Sequence, residues 1–107
     1  MTYETTHTFK TARFTVRLAV APEVDAPDWD DCDEEIEKIN SGELAWFVAR
    51  VTVECDGRTL GTDYLGGCCY ESVDQFRRDP YFYDMVRMAC EQARRALANP
   101  PKMRAVA

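Results

Sequence analysis

Acidic side chains crowd the segment from residue 23 to residue 39, EVDAPDWDDCDEEIEKI, and nine of them precede its first basic residue, Lys38. Carboxylates at this density repel nucleic-acid phosphates and attract arginine and lysine side chains. The chemistry that the segment predicts is therefore binding to a basic partner. We expect no direct contact between this surface and nucleic acid.

The predicted contact residues belong to a helix and to the few residues before it. They are Asp28, Asp30, Asp31, Asp33, Glu34, Glu35 and Glu37, with Glu23 and Asp25 as an extension. The alternative interpretation is a solvated helix face that adds solubility. Charge is unevenly distributed along the chain, since residues 23–43 hold ten acids against one lysine, whereas residues 77–107 hold seven basic groups against three acids.

Five cysteines are the other residues with chemical potential. Their odd number and the lack of an export signal in MTYETTHTFK favour reduced thiols. No two of them have C-x-x-C spacing, and His7 is the only histidine, so we expect no catalytic residue, no metal and no cofactor. A thiol or zinc module of Cys55, Cys68 and Cys69 is a weak alternative. Adjacent strand residues point to opposite faces, so at most one of Cys68 and Cys69 is expected in the core.

Apolar spacing predicts the elements that position the acidic segment. From Ala12, ARFTVRLAV alternates as a half-buried strand does. A helix over about residues 29–40 follows, with Asp28 as its N-cap and Gly42 at its C-cap. Its apolar stripe consists of Trp29, Cys32, Ile36 and Ile39.

The second half of the chain predicts a hairpin and a long helix. ELAWFVARVTVEC reads as a strand, and Asp56-Gly57 favours a tight turn into a returning strand that continues with a bulge at Gly66-Gly67. The segment SVDQFRR predicts a short helical turn. Asp79 and Pro80 then have the residue types of an N-cap and a first helical position, and the helical period of apolar residues continues from there.

These elements have the order β-α-β-β-α and predict an α+β fold, with a three-stranded, mainly antiparallel sheet and two helices packed on one face. The length fits a single domain, residues 1–107, with a frayed tail at 101–107. No apolar run approaches the roughly 18 residues of a membrane span. We therefore expect a cytoplasmic protein without membrane contact.

The string INSGELAWFVARVTVECDGRTLGTDYLGGCCYES resembles a pattern of small uncharacterised proteins encoded by bacteriophages and mobile elements. The matching residues are Gly42, Glu43, Leu44, Asp63, Leu65, Gly66, Gly67 and Glu71, within about a third of the chain. Proteins of this group often carry C-x-x-C in the hairpin, where this chain has only Cys55, and that departure weakens any inherited metal site. The resemblance implies a mobile-element origin and a host-interacting accessory protein.

Together, the acidic segment and the resemblance predict a non-enzymatic phage-type protein that binds a basic, nucleic-acid-binding host protein. An anti-CRISPR or anti-restriction inhibitor, whose carboxylates occupy the place of DNA phosphates, is the concrete form of this hypothesis. The alternative from another class is a structural or accessory homodimer. Such a dimer would assemble through poles of opposite charge or through a sheet face that exposes Trp46.

Overall fold

The computed structural model describes residues 2–99, which form an α+β fold as predicted. The strands are β1 (Glu4–Lys10), β2 (Thr15–Pro22), β3 (Ala45–Cys55) and β4 (Arg58–Tyr70). The helices are α1 (Asp33–Ser41), α2 (Val73–Arg77) and α3 (Pro80–Ala98). No helix within residues 2–99 has the length and apolar character needed to cross a bilayer. The predicted frayed tail at 101–107 lies outside the described residues.

The described residues form one antiparallel sheet with the strand order β1-β2-β3-β4. The predicted number of three strands is therefore wrong by one, because β1 was not expected. Its sequence, ETTHTFK, contains a single large apolar residue, Phe9, and six of its seven residues are exposed. An edge strand pairs on one side only and buries little surface, so apolar periodicity does not identify it.

The hairpin between β3 and β4 is confirmed. Asp56 and Gly57 both have positive φ angles, 52° and 76°, as a tight primed turn requires. The bulged continuation of the returning strand is confirmed as well. The pairing of β4 with β3 shifts register between Phe47 and Ala49, and Gly67 nearby has a φ of 65°.

Helices α2 and α3 cover one face of the sheet, which we call the inner face. Asp79 caps α3 by accepting a 2.9 Å hydrogen bond from the Tyr81 N–H, with Pro80 at the first helical position as predicted. At Gly61 the helix lies so close to β4 that an added Cβ would collide with the Ala89 carbonyl oxygen. The largest fully buried side chains of this layer are Phe76, Leu18, Val16, Val51 and Val53.

Helix α1 starts later than predicted. It begins at Asp33, because Asp31 has a left-handed φ of 57° that a helix cannot contain. The predicted start near residue 29 and the predicted N-cap at Asp28 are therefore wrong. The predicted end is confirmed, since Gly42 closes the helix with a φ of 86°.

Helix α1 also lies on the opposite side of the sheet from α2 and α3. The Phe47 ring packs against Phe76 of α2 on the inner face, with 5.6 Å between ring centroids. Trp46, one residue earlier, points to the other face, which we call the outer face. There it borders a groove together with Ile36 and Ile39 of α1. The prediction that this helix shares a face with α3 is wrong, because periodicity identifies the apolar side of a helix but not the sheet face that it meets.

Candidate partner-binding surface

Six of the seven predicted contact residues are exposed and lie close together in sequence and structure. The loop before α1 holds Asp28, Asp30 and Asp31, and α1 itself holds Asp33, Glu34 and Glu37. Residues three and four positions apart share one side of a helix, so the three residues of α1 project together. We call these six residues the acidic surface.

Lys38 is the one basic residue of α1, and its ammonium lies 3.3 Å from the Glu34 carboxylate. Hydrogen bonding to Glu34 and the negative charge of that carboxylate raise the pKa of Lys38. The pair is exposed, so it contributes little to stability. The other five acids of the surface form no ion pair within residues 2–99 and stay available to a partner.

An open concavity of about 670 Å³ extends beside the C-terminal half of α1. Its lining consists of Glu34, Glu37, Lys38, Asn40, Ser41 and Glu43. Three carboxylates thus border one space. The N–H donors of a guanidinium group placed there have several carboxylate oxygens within reach. This part of the acidic surface suits an arginine or lysine side chain of a partner.

Glu35 is separated from the other predicted contact residues. It lies on the same side of α1 as the apolar stripe and is half-buried, and its Oε2 atom is inaccessible and has no hydrogen-bond partner. The pKa of Cys69 on β4 is raised mainly by burial of the thiol and, to a smaller extent, by the negative charge of Glu35. The sequence contains the signal for this placement, because Glu35 is three residues after Cys32 and four before Ile39.

Glu23, the predicted extension of the contact residues, has a structural role instead. Its Oε2 atom accepts a 3.1 Å hydrogen bond from the Gly67 N–H at the β4 bulge. Its Oε1 atom accepts a weaker, 3.4 Å bond from the Asp25 N–H. The two glycines of the D-x-L-G-G pattern thus lie where the loop of residues 23–32, which we call the acidic loop, is attached to the sheet.

Trp46 is half-buried, so the prediction of an exposed tryptophan on the outer face is wrong. Its ring packs against Trp29, with 5.8 Å between centroids and a tilt of 60°. Its indole N–H donates a 2.7 Å hydrogen bond to the Asp25 carbonyl oxygen. The acidic loop, which could not be positioned from sequence, is therefore held over Trp46 on the outer face.

Three arginines of α2, α3 and the turn between them form ion pairs with nearby acids. Arg77 and Arg78 both contact Asp74, at 3.2 Å and 2.9 Å. Arg87 contacts Asp84 at 3.4 Å and Glu91 at 3.5 Å. These ion pairs reduce the attraction of α2 and α3 for the acidic surface of a second copy.

The cysteines are placed as ordinary thiols. Cys68 is 2% exposed on the inner face and Cys69 is half-buried on the other face, as predicted. Burial raises the pKa of Cys68 to about 11 and also raises the pKa of Cys69, so both stay protonated at neutral pH. His7 contacts Asp74 at 3.6 Å. Within residues 2–99, no group of three metal-ligating side chains is close enough to hold an ion.

Comparison with known proteins finds no relative for this chain. No family model matches it, and neither a curated protein nor a solved structure is significantly similar. The geometry and charge of the surfaces described above are therefore the basis for assigning a function.

Proposed function

We propose that this protein is a non-enzymatic, phage-type inhibitor that uses the acidic surface to bind a basic, nucleic-acid-binding host protein. The observation that carries the proposal is the exposure of six carboxylates on one loop and one helix, with Lys38 as their single basic neighbour along the segment. Helix α1 has nine residues and three exposed acids, so at a rise of about 1.5 Å per residue it carries one exposed carboxylate per about 4–5 Å of its axis. This spacing is wider than the roughly 3.4 Å between phosphates along one strand of DNA, so the acidic surface offers a partner fewer anionic groups per unit length than DNA does.

An anti-CRISPR or anti-restriction activity is the concrete form of this proposal. A protein that binds DNA through arginine and lysine side chains offers the same donors to carboxylates. An inhibitor that occupies those donors prevents DNA binding without any covalent chemistry. The raised pKa of the Cys68 and Cys69 thiols is consistent with a binding role, since neither is an activated nucleophile.

The test combines capture with DNA competition. The wild-type chain is immobilised, host proteins that bind it are purified, and duplex DNA is then added as a competitor. We expect at least one captured protein to bind DNA and to be released by duplex DNA, with binding that weakens steeply as salt rises. A captured set without DNA-binding proteins, or a second copy of the chain alone, would contradict the proposal and favour the homodimer.

A further inference from the structure

Helix α1 is short and incompletely packed. It has nine residues and none of them is buried, although Ile36 and Ile39 lie on one side of it. Isolated helices shorter than about 12–15 residues are marginal in water, so α1 depends on contacts made by its apolar side. Those contacts are only partly provided by the rest of the chain, because both isoleucines are still half-exposed.

A groove of about 270 Å³ opens along this apolar side. Ile36 and Ile39 form one wall, the segment 23–27 forms the other, and Trp46 forms the floor. Val24, on the second wall, is 79% exposed. The groove is smaller than the roughly 300–1,000 Å³ of pockets that enclose small-molecule ligands, and its size suits one or two apolar side chains.

Hydrogen bonds join one wall of the groove, the segment 23–27, to its floor at Trp46. The Glu23 N–H donates to the Trp46 carbonyl oxygen at 3.3 Å, and the Trp46 indole N–H donates to the Asp25 carbonyl oxygen at 2.7 Å. The Glu23 carboxylate is attached to Gly67 of β4. This wall and the floor are therefore positioned before a side chain enters, which limits the reorganisation that binding requires to the α1 wall.

The charge around the groove indicates what enters it. The residues that line the groove include Glu23 and Asp25 but no basic residue, and the acidic surface lies beside the groove. An apolar floor beside dense negative charge is complementary to an apolar side chain flanked by lysine or arginine.

We propose that the groove binds a short basic segment of the partner, with one large aliphatic side chain inserted against Trp46 between Ile39 and Val24. This inference rests on the proposed function and adds to it the apolar anchor that gives an electrostatic contact its specificity. Burial of a leucine side chain in such a site accounts for a gain in affinity of about tenfold or more.

The test uses two synthetic peptides rich in lysine and arginine, one with a central leucine and one with serine in its place. The chain has two tryptophans, of which Trp46 lines the groove and Trp29 packs against Trp46, so tryptophan fluorescence reports occupation of the groove. We expect the leucine peptide to bind at least about tenfold more tightly and to shift the tryptophan emission. Substitution Val24→Ser changes an exposed residue and leaves the fold intact, and substitution Ile39→Ser changes the opposite wall. Each is expected to reduce the difference between the two peptides.

The outcomes separate this inference from the proposed function. Equal binding of the two peptides would show that charge alone operates, which overturns the groove inference and leaves the acidic surface supported. Absence of binding by both peptides would also overturn the inference, while the capture experiment still decides the proposed function. Emission that changes on dilution of the protein alone would assign the groove to a second copy and contradict a basic peptide as its occupant.

Discussion

The two faces of the sheet differ in how completely they are covered. On the inner face, α3 contributes five buried residues and Phe76 of α2 is fully buried. On the outer face, α1 contributes no buried residue, and its polar side carries three of the six carboxylates of the acidic surface. The inner face therefore holds most of the buried core, whereas the outer face is less completely covered and is the face to which we assign the proposed binding surface.

The largest expected effect is on the inner face, at Phe76. Its ring lies 5.1 Å from the Tyr70 ring, 5.6 Å from the Phe47 ring and 6.0 Å from the Phe82 ring, measured between centroids. Substitution Phe76→Ala removes these contacts and leaves a cavity, so we expect the free energy of unfolding to fall by about 3–5 kcal/mol. Urea denaturation measures the change. The matched substitution on the outer face, Ile36→Ala, is expected to lower the free energy of unfolding by about 1 kcal/mol. Equal losses at the two sites would contradict the claim that the inner face is the better packed of the two.

The second-largest loss of stability is expected at Gly61, where α3 lies close to β4. A methyl group added at Gly61 collides with backbone atoms of Ala89, which cannot rotate away as a side chain can. We expect Gly61→Ala to lower the free energy of unfolding by about 2–3 kcal/mol. Gly66→Ala is the control, because its added Cβ meets only the Glu23 carboxylate at 3.4 Å. Similar losses for the two variants would argue against the packing of α3 described above.

The buried thiol of Cys68 predicts a loss of stability in alkaline solution. The pKa of this thiol is raised from 9.0 to about 11 in the folded chain, because burial disfavours the thiolate. Between those values the unfolded chain releases a proton that the folded chain keeps, so this contribution is present in full below pH 9 and is lost as the pH rises to about 11. We expect a decrease of about 2 kcal/mol in the free energy of unfolding from this group.

The measurement for Cys68 is denaturation at pH 8 and pH 10.5 for the wild type and for Cys68→Ala. The variant is expected to lose less stability than the wild type over this interval. Cys69→Ala is the comparison on the outer face and should retain most of the alkaline sensitivity of the wild type, because the Cys69 thiol is only half-buried. If the wild type and Cys68→Ala lose the same stability between pH 8 and pH 10.5, the Cys68 thiol is not buried in the way that the structure indicates.

Local signals in the sequence predicted the elements of the inner face well. The Asp56-Gly57 turn and the Asp79 cap depend on residues adjacent in the chain, so their types alone identify them. Contacts between distant segments could not be predicted in this way. The hydrogen bond from Gly67 to Glu23 joins residues 44 positions apart, and it fixes the acidic loop over the outer face.

The acidic surface was predictable in composition but not in shape. The types of its residues identified six exposed carboxylates correctly, because a dense run of acids cannot be buried. The positive φ of Asp31 and the inward position of Glu35 altered its outline. The groove beside Trp46 was not expected, since the sequence predicted an exposed tryptophan and gave no sign of the loop that packs against it.

The central claim is tested most directly by charge reversal on the acidic surface, with Asp30→Lys, Asp33→Lys and Glu37→Lys in one variant. A matched variant changes three acids elsewhere by the same total charge, Glu4→Lys, Glu71→Lys and Asp84→Lys. The measurement is the affinity of each for the DNA-binding protein that the wild type captures, together with the free energy of unfolding. We predict at least a tenfold loss of affinity for the first variant, little loss for the second, and a stability of both within about 1 kcal/mol of the wild type. Equal affinities for the two variants would contradict the account, because the charge of the whole chain and not the acidic surface would then determine binding.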